Sequence, residues 1–219
     1  MVYVAAGDTW SSSVAVYKNA VEAERYNIFA LHGLGMAYWQ EAQQPDGKLD
    51  EAKLDEAQRQ FEAILKIPSD PNVRMEGGLE PAHRALGLLL AERHEPRKAL
   101  EQLDEAIKAG PQQPEPLRHK AWILATSLDG NVRDGTKAVE VAEQALRQSR
   151  WKQPEYWDTL AAAQAEAGKF SAAVKSAETA LKQARSMRAD DLIPGIRKRL
   201  ELFESGKPYH AEAQHPLRL

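Results

Sequence analysis

EPAHRALGLLLAERHEPRKALEQLDEAIKAGPQQ, residues Glu80–Gln113, and PEYWDTLAAAQAEAGKFSAAVKSAETALKQARSM, residues Pro154–Met187, superimpose without a gap. Leu86-Gly87 and Leu90 of the first answer to Leu160-Ala161 and Gln164 of the second. Ala99, Leu103 and Ala106 answer to Ala173, Ala177 and Ala180. A small residue in the first half and another in the second, at a constant offset, is what two antiparallel helices need where their backbones approach closely. A period of about 34 residues is one such helix–turn–helix unit. A unit of this kind cannot bury its own apolar face, so several must stack.

Working outward, the same pattern recurs in stretched form. Upstream, Ile28–Gln43 carries Leu34-Gly35 and Tyr38, and Leu49–Ile67 carries Ala57, Phe61 and Ile64. The interval from Gly35 to Ala57 is about ten residues longer than in the regular units, an insertion placed in 41–54 around Gln44-Pro-Asp-Gly47. Between the regular units, Ala121 pairs with Ala138, Ala142 and Ala145, and Leu128-Asp-Gly-Asn-Val-Arg-Asp-Gly135 lengthens the turn. The expected organisation is an N-terminal segment and capping helix over 1–27, starting after Asp8 or Thr9 with the stripe Trp10, Val14, Tyr17 and Val21. Four units come next over 28–187: 28–79 with an insertion, 80–113, 114–153 with an insertion, and 154–187. Pro68–Pro71 and Gly77-Gly78 mark a loop. A capping helix over 188–206 stops at Gly206, with Leu192, Ile196, Leu200 and Phe203 inward and Arg197-Lys198-Arg199 toward water. A loose tail, 207–219, ends the chain.

Composition is compatible with this. Of 219 residues, 43% are hydrophobic and 28% charged, enough for a helical core. The net charge of −3 lacks the basic face that nucleic-acid binding requires, so no nucleic-acid partner is expected. The absence of cysteine removes disulfides and thiolate chemistry. No apolar run approaches the length of a membrane helix, so direct membrane insertion is not expected. Met1–Gly7 has neither the basic n-region nor the apolar length of a signal peptide.

The regular units resemble the tetratricopeptide repeat (TPR). That resemblance implies an all-α, right-handed α-solenoid of antiparallel helix pairs, a superhelix whose concave face is lined by the first helix of each unit. It also implies a non-catalytic scaffold holding a peptide or helix of a partner protein. Carried over by position, the lining residues are Phe29, His32, Met36 and Trp39 in the first unit and Arg84 and Leu88 in the second. The third contributes Glu115, Arg118 and Trp122, and the fourth Glu155 and Asp158. Aromatic and arginine side chains dominate interface energetics. Trp39 and Trp122 have a second reading, as packing between helices. The lysines and asparagines with which some family members clamp a chaperone's C-terminal carboxylate are missing.

The stretch 117–209 also resembles a TPR subfamily of planctomycete-type bacteria, through Arg133-Asp-Gly135, Ala165-Glu-Ala-Gly168 and Gly206-Lys-Pro-Tyr209. The N-terminal stretch from Trp10 to His32-Gly-Leu-Gly35 is similar to the junction between membrane spans and soluble repeats in proteins resembling protein O-mannosyltransferases. This implies an alternative role as a structural spacer or oligomerisation element in an extracytoplasmic tail. The compartment would then be periplasmic rather than cytoplasmic.

Catalytic and metal chemistry find little support. His32, His83, His94 and His119 fall one to a helix or turn without ligand spacing, and His210 and His215 lie in the tail. Asp129, Asn131 and Asp134 set oxygens around glycines as a calcium loop does, but without the bidentate Glu, and turn chemistry explains them equally. No nucleophile elbow or phosphate-binding loop is present. No enzyme activity and no cofactor are expected.

Overall fold

The structure is a computed structural model that describes residues 6–44, 47–67, 79–150 and 153–210, with side chains from residue 13 onward. The expected loop at 68–78, the Trp10 side chain and His215 lie outside the described residues. Among the described residues there are ten helices: α1 (Ala6–Ala23), α2 (Ile28–Ala42), α3 (Glu51–Leu65), α4 (Leu79–Glu92), α5 (Pro96–Ala109), α6 (Pro114–Thr126), α7 (Gly135–Gln148), α8 (Pro154–Glu166), α9 (Phe170–Met187) and α10 (Ile193–Glu204). They form two compact units, Met1–Leu89 and Leu90–Leu219.

Helix starts reflect local chemistry. The Asn27 side chain accepts from Ala30 N–H at 2.9 Å, Asp50 from Lys53 N–H at 3.2 Å, and Asp134 from Lys137 N–H at 2.9 Å. Each satisfies a backbone donor that the first turn leaves open. Prolines open α5, α6 and α8, where a missing N–H costs nothing. Asp8 and Thr9 lie inside α1 and do not cap it, contrary to the sequence-based expectation.

In the first unit α2 packs between α1 and α3. Gly33 and Gly35 make this possible on opposite sides of the helix. A Cβ at Gly33 would stand 2.4 Å from the Tyr17 ring of α1, and one at Gly35 would stand 2.6 Å from the Phe61 ring of α3. Each glycine is a notch for an aromatic ring. Leu31, Ile64 and Ala82 bury together, flanked by Val21 and Ile28. The insertion is a tight antiparallel excursion, with Gln43 bridged to Leu49 and Asp50 N–H donating to Ala42 O at 2.9 Å. Gly47 takes the left-handed turn at φ 80°, and Lys53 of α3 pairs with Glu41 of α2 across its base.

In the second unit α6 packs on α7, α7 on α8, α8 on α9 and α9 on α10, and α6 also touches α8 directly. Consecutive helices therefore form pairs, and the first helices of successive pairs meet. Alanine occupies the interfaces: Ala121, Ala138, Ala161, Ala173, Ala177 and Ala180 are all fully buried. Gly135 serves the same end, since a Cβ there would lie 2.5 Å from the backbone nitrogen of Ala167. α10 stops before Gly206, which adopts φ 68°. Lys207 N–H closes the turn on Leu202 O at 2.9 Å.

Candidate functional site

The residues expected to line a groove divide sharply. Phe29 is 79% exposed on α2, touching Tyr17 of α1 only edge-on, with ring centroids 6.4 Å apart. His32 and Met36 continue the same face at helical spacing and are half-buried. The His32 ring lies against Phe61 at 5.6 Å. Burial, and next the nearby Arg84 charge, push its imidazole below the ordinary value of 6.5, favouring the neutral form. Arg84 is half-buried in α4, its Nε donating to Glu80 one turn earlier at 2.8 Å. In this unit an exposed aromatic, an imidazole, a thioether and an oriented guanidinium form one mixed surface.

Two residues of the same unit do not join it. Trp39 is 5% exposed and meets Phe61 edge-on at 6.3 Å, so its packing reading is the correct one. Leu88 is fully buried, which corrects its assignment to the groove. The sequence Leu88-Leu89-Leu90 is apolar all round, and every residue of it is buried.

In the second unit two of the expected lining residues, Trp122 and Asp158, face a surface already occupied. Asp158 is buried in α8 and accepts a two-pronged ion pair from Arg199 of α10: Nε to Oδ1 at 2.9 Å and Nη2 to Oδ2 at 2.5 Å. Arg199 is 8% exposed, which corrects the expectation that it faces water. The Gly195 position one turn earlier leaves it room, since a Cβ there would lie 3.3 Å from Nη2. The guanidinium carbon sits 5.2 Å from the Trp122 ring centroid and 5.4 Å from that of Tyr209. Cation–π attraction therefore joins the ion pair in holding it. Trp122 is half-buried beneath Tyr209, with ring centroids 6.1 Å apart.

The expected loose tail is thus ordered through His210. Tyr209 is 8% exposed, and His210 Nε2 lies 2.8 Å from Glu166 Oε2 at the end of α8. The other oxygen of Glu166 accepts from Arg133 Nε at 2.9 Å, and Arg133 Nη1 also donates to Ser127 O at 2.6 Å. Arg133-Asp134-Gly135 and Gly206-Lys-Pro-Tyr209 are therefore parts of one assembly meeting at Glu166. The signal in the sequence was Tyr209, an aromatic residue in an otherwise polar and proline-containing segment.

Arg118 is half-buried, with Nη2 3.1 Å from His119 Nε2 and its guanidinium 5.7 Å from the Tyr156 ring. Tyr156 donates to Glu115 at 3.1 Å. Burial, reinforced by the Glu115 charge, raises its phenol well above the ordinary range. Glu115 and Glu155 are each at least partly open to water. His119 is almost fully buried. The 128–135 turn satisfies itself: Asp129 Oδ1 accepts from Asn131 N–H at 2.9 Å and from its side chain at 3.1 Å, while Asp134 caps α7.

No family model matches the sequence and no curated protein matches it. Solved structures do match. MamA superimposes with TM-score 0.59 at 16% identity, over 86% of this chain and 99% of its own. TTC0263, a thermophilic TPR protein of Thermus thermophilus, gives 0.59 at 17% identity, over 90% of each chain. YrrB, described as a TPR protein with an unusual peptide-binding site, gives 0.55 at 17% identity, over 84% of this chain and 85% of its own. Among the described residues no helix is long and apolar enough to cross a membrane. With its paired helices and buried alanine seams, the chain has the fold of the TPR proteins, an α-solenoid of helix pairs.

Proposed function

We propose that the chain is a non-catalytic protein-interaction scaffold that holds a peptide or helix of a partner protein on the first-helix face of its N-terminal unit. The observation that carries this is Phe29, a large apolar side chain 79% exposed at the head of the Phe29–His32–Met36 stripe. Such a ring in water gains from burial against a partner, and aromatics anchor interfaces far more often than their surface frequency implies. Arg84 adds a charged donor within electrostatic reach of His32, suited to an acidic or carbonyl group on the ligand. The fold favours this reading, and YrrB, which shares it, is described as having a peptide-binding site.

Affinity capture from the source cells, with mass spectrometry of the captured proteins, tests it. The wild-type chain is expected to retain a partner that the Phe29→Ala, His32→Ala double variant loses, with helical circular dichroism unchanged. An identical set of captured proteins from both, with the fold intact, excludes this face.

A further inference from the structure

Tyr209 and His210 are seated as a ligand is seated. Beyond the turn at Gly206 the chain leaves the helix and runs without regular structure to a position over α6 and α8. Two adjacent side chains make the contacts there. The Tyr209 ring lies on Trp122 and over the Arg199 guanidinium, and the His210 imidazole reaches the Glu166 carboxylate. The seat is held by contacts of its own. Arg199 is fixed by Asp158, and Glu166 by Arg133, and neither pair involves the tail. A preorganised surface filled by a short segment on a covalent tether has the construction of a binding site with a resident occupant.

We propose that the seat formed by Trp122, Arg199 and Glu166 is a peptide-binding site filled in cis by Pro208-Tyr209-His210. Its external partner is an extended protein segment bearing an aromatic residue directly followed by a hydrogen-bond donor. The aromatic ring replaces Tyr209 on the tryptophan and guanidinium, where ring stacking and cation–π attraction both act. The donor replaces His210 on Glu166. The tether sets the threshold for exchange, because a linked segment acts at an effective concentration in the millimolar range. Only a segment that outcompetes this local concentration displaces the tail. This site is separate from the Phe29 face and stands or falls without it.

The test uses the 219-residue chain carrying Tyr209→Ala and His210→Ala, with folding checked by helical circular dichroism. The probe is a fluorescently labelled peptide of sequence Ser-Gly-Lys-Pro-Tyr-His, read by anisotropy. The emptied variant is expected to bind it at least about 10-fold more tightly than the wild type, whose seat is filled. Changing the peptide's tyrosine to alanine, or Glu166→Gln in the emptied variant, is expected to weaken binding by a similar factor. Equal affinity of a folded emptied variant and the wild type overturns the proposal. Unfolding of the double variant overturns it too, because a tail the fold depends on is not an exchangeable occupant. In His210→Ala alone, which keeps the ring, an affinity between those of the wild type and the emptied variant supports exchange, and a wild-type affinity opposes it.

Discussion

The first helices of the two units carry aromatic residues that end in different states. On α2 the leading aromatic, Phe29, stands in water. On α6 and α8 the tryptophan is covered by Tyr209 and the aspartate is neutralised by Arg199. The difference comes from chain further downstream: α10 and the segment after it return over the second face and supply its missing partners. Family position alone therefore does not identify an available binding surface. The complement has to be counted as well, including groups contributed from far along the same chain.

The sharpest way to break this contrast is to remove the partner on the covered face. Asp158→Ala leaves the Arg199 guanidinium buried without its counter-charge and is expected to cost about 3–5 kcal/mol, read as a fall in the urea midpoint. An unchanged midpoint would mean that Arg199 finds water by rotating out, and that the face is less closed than its geometry. A smaller loss is expected at the notches of the open unit. Gly35→Ala drives a methyl group into the fully buried Phe61 ring and should cost about 1–3 kcal/mol. Ala161→Leu should cost about the same in the second unit, through overpacking of a seam with no space. If either is tolerated in thermal melts, the close approach at that seam is not a constraint.

His32 gives a pH-dependent comparison. Its folded-state pKa is lowered, first by burial and then by Arg84. Below the ordinary value of 6.5 the unfolded chain therefore takes up a proton that the folded chain resists. Stability is expected to fall as pH drops through that window, and His32→Gln should flatten the dependence. Urea midpoints at about pH 7.5 and about pH 5.5 measure it, using the ordinary histidine value as the dividing line. The smallest effect on stability belongs to the exposed ring. Phe29→Ala is expected to shift folding by less than about 0.5 kcal/mol while weakening a partner bound on that face by about 10-fold or more. A large stability loss there would show that Phe29 belongs to the core rather than to a binding surface.

The fold was legible because helix pairs impose hard local demands. A seam that admits only Ala or Gly, a proline at the first helical position and a left-handed glycine after the last are each visible within a few residues. The period repeats them. The candidate site was legible only in part. Arg197-Lys198-Arg199 reads as a solvated run, and nothing adjacent to Arg199 reveals that Asp158, one repeat away, will hold it. The tail's prolines and histidines read as loose chain for the same reason, since Trp122 and Glu166 lie far upstream. Leu88 was misplaced because positional correspondence does not register an apolar run buried on all sides. Long-range complements to charge are the information a local reading lacks.

The arrangement at Glu166 also bears on how the molecule comes apart. In an array whose neighbours touch only neighbours, the last helix frays on its own and the loss propagates slowly inward. Here Glu166 at the end of α8 ties down the turn before α7, while Arg199 of α10 is held by Asp158 of α8 and lies over Trp122 of α6, contacts that persist whether or not the tail is seated. Opening the terminal helix therefore means releasing contacts on α6 and α8 at the same moment. Hydrogen exchange along α6 to α10 should then report one shared opening rather than a gradient from the C-terminus. The second unit would behave as a cooperative block within a fold class whose usual mode is piecemeal.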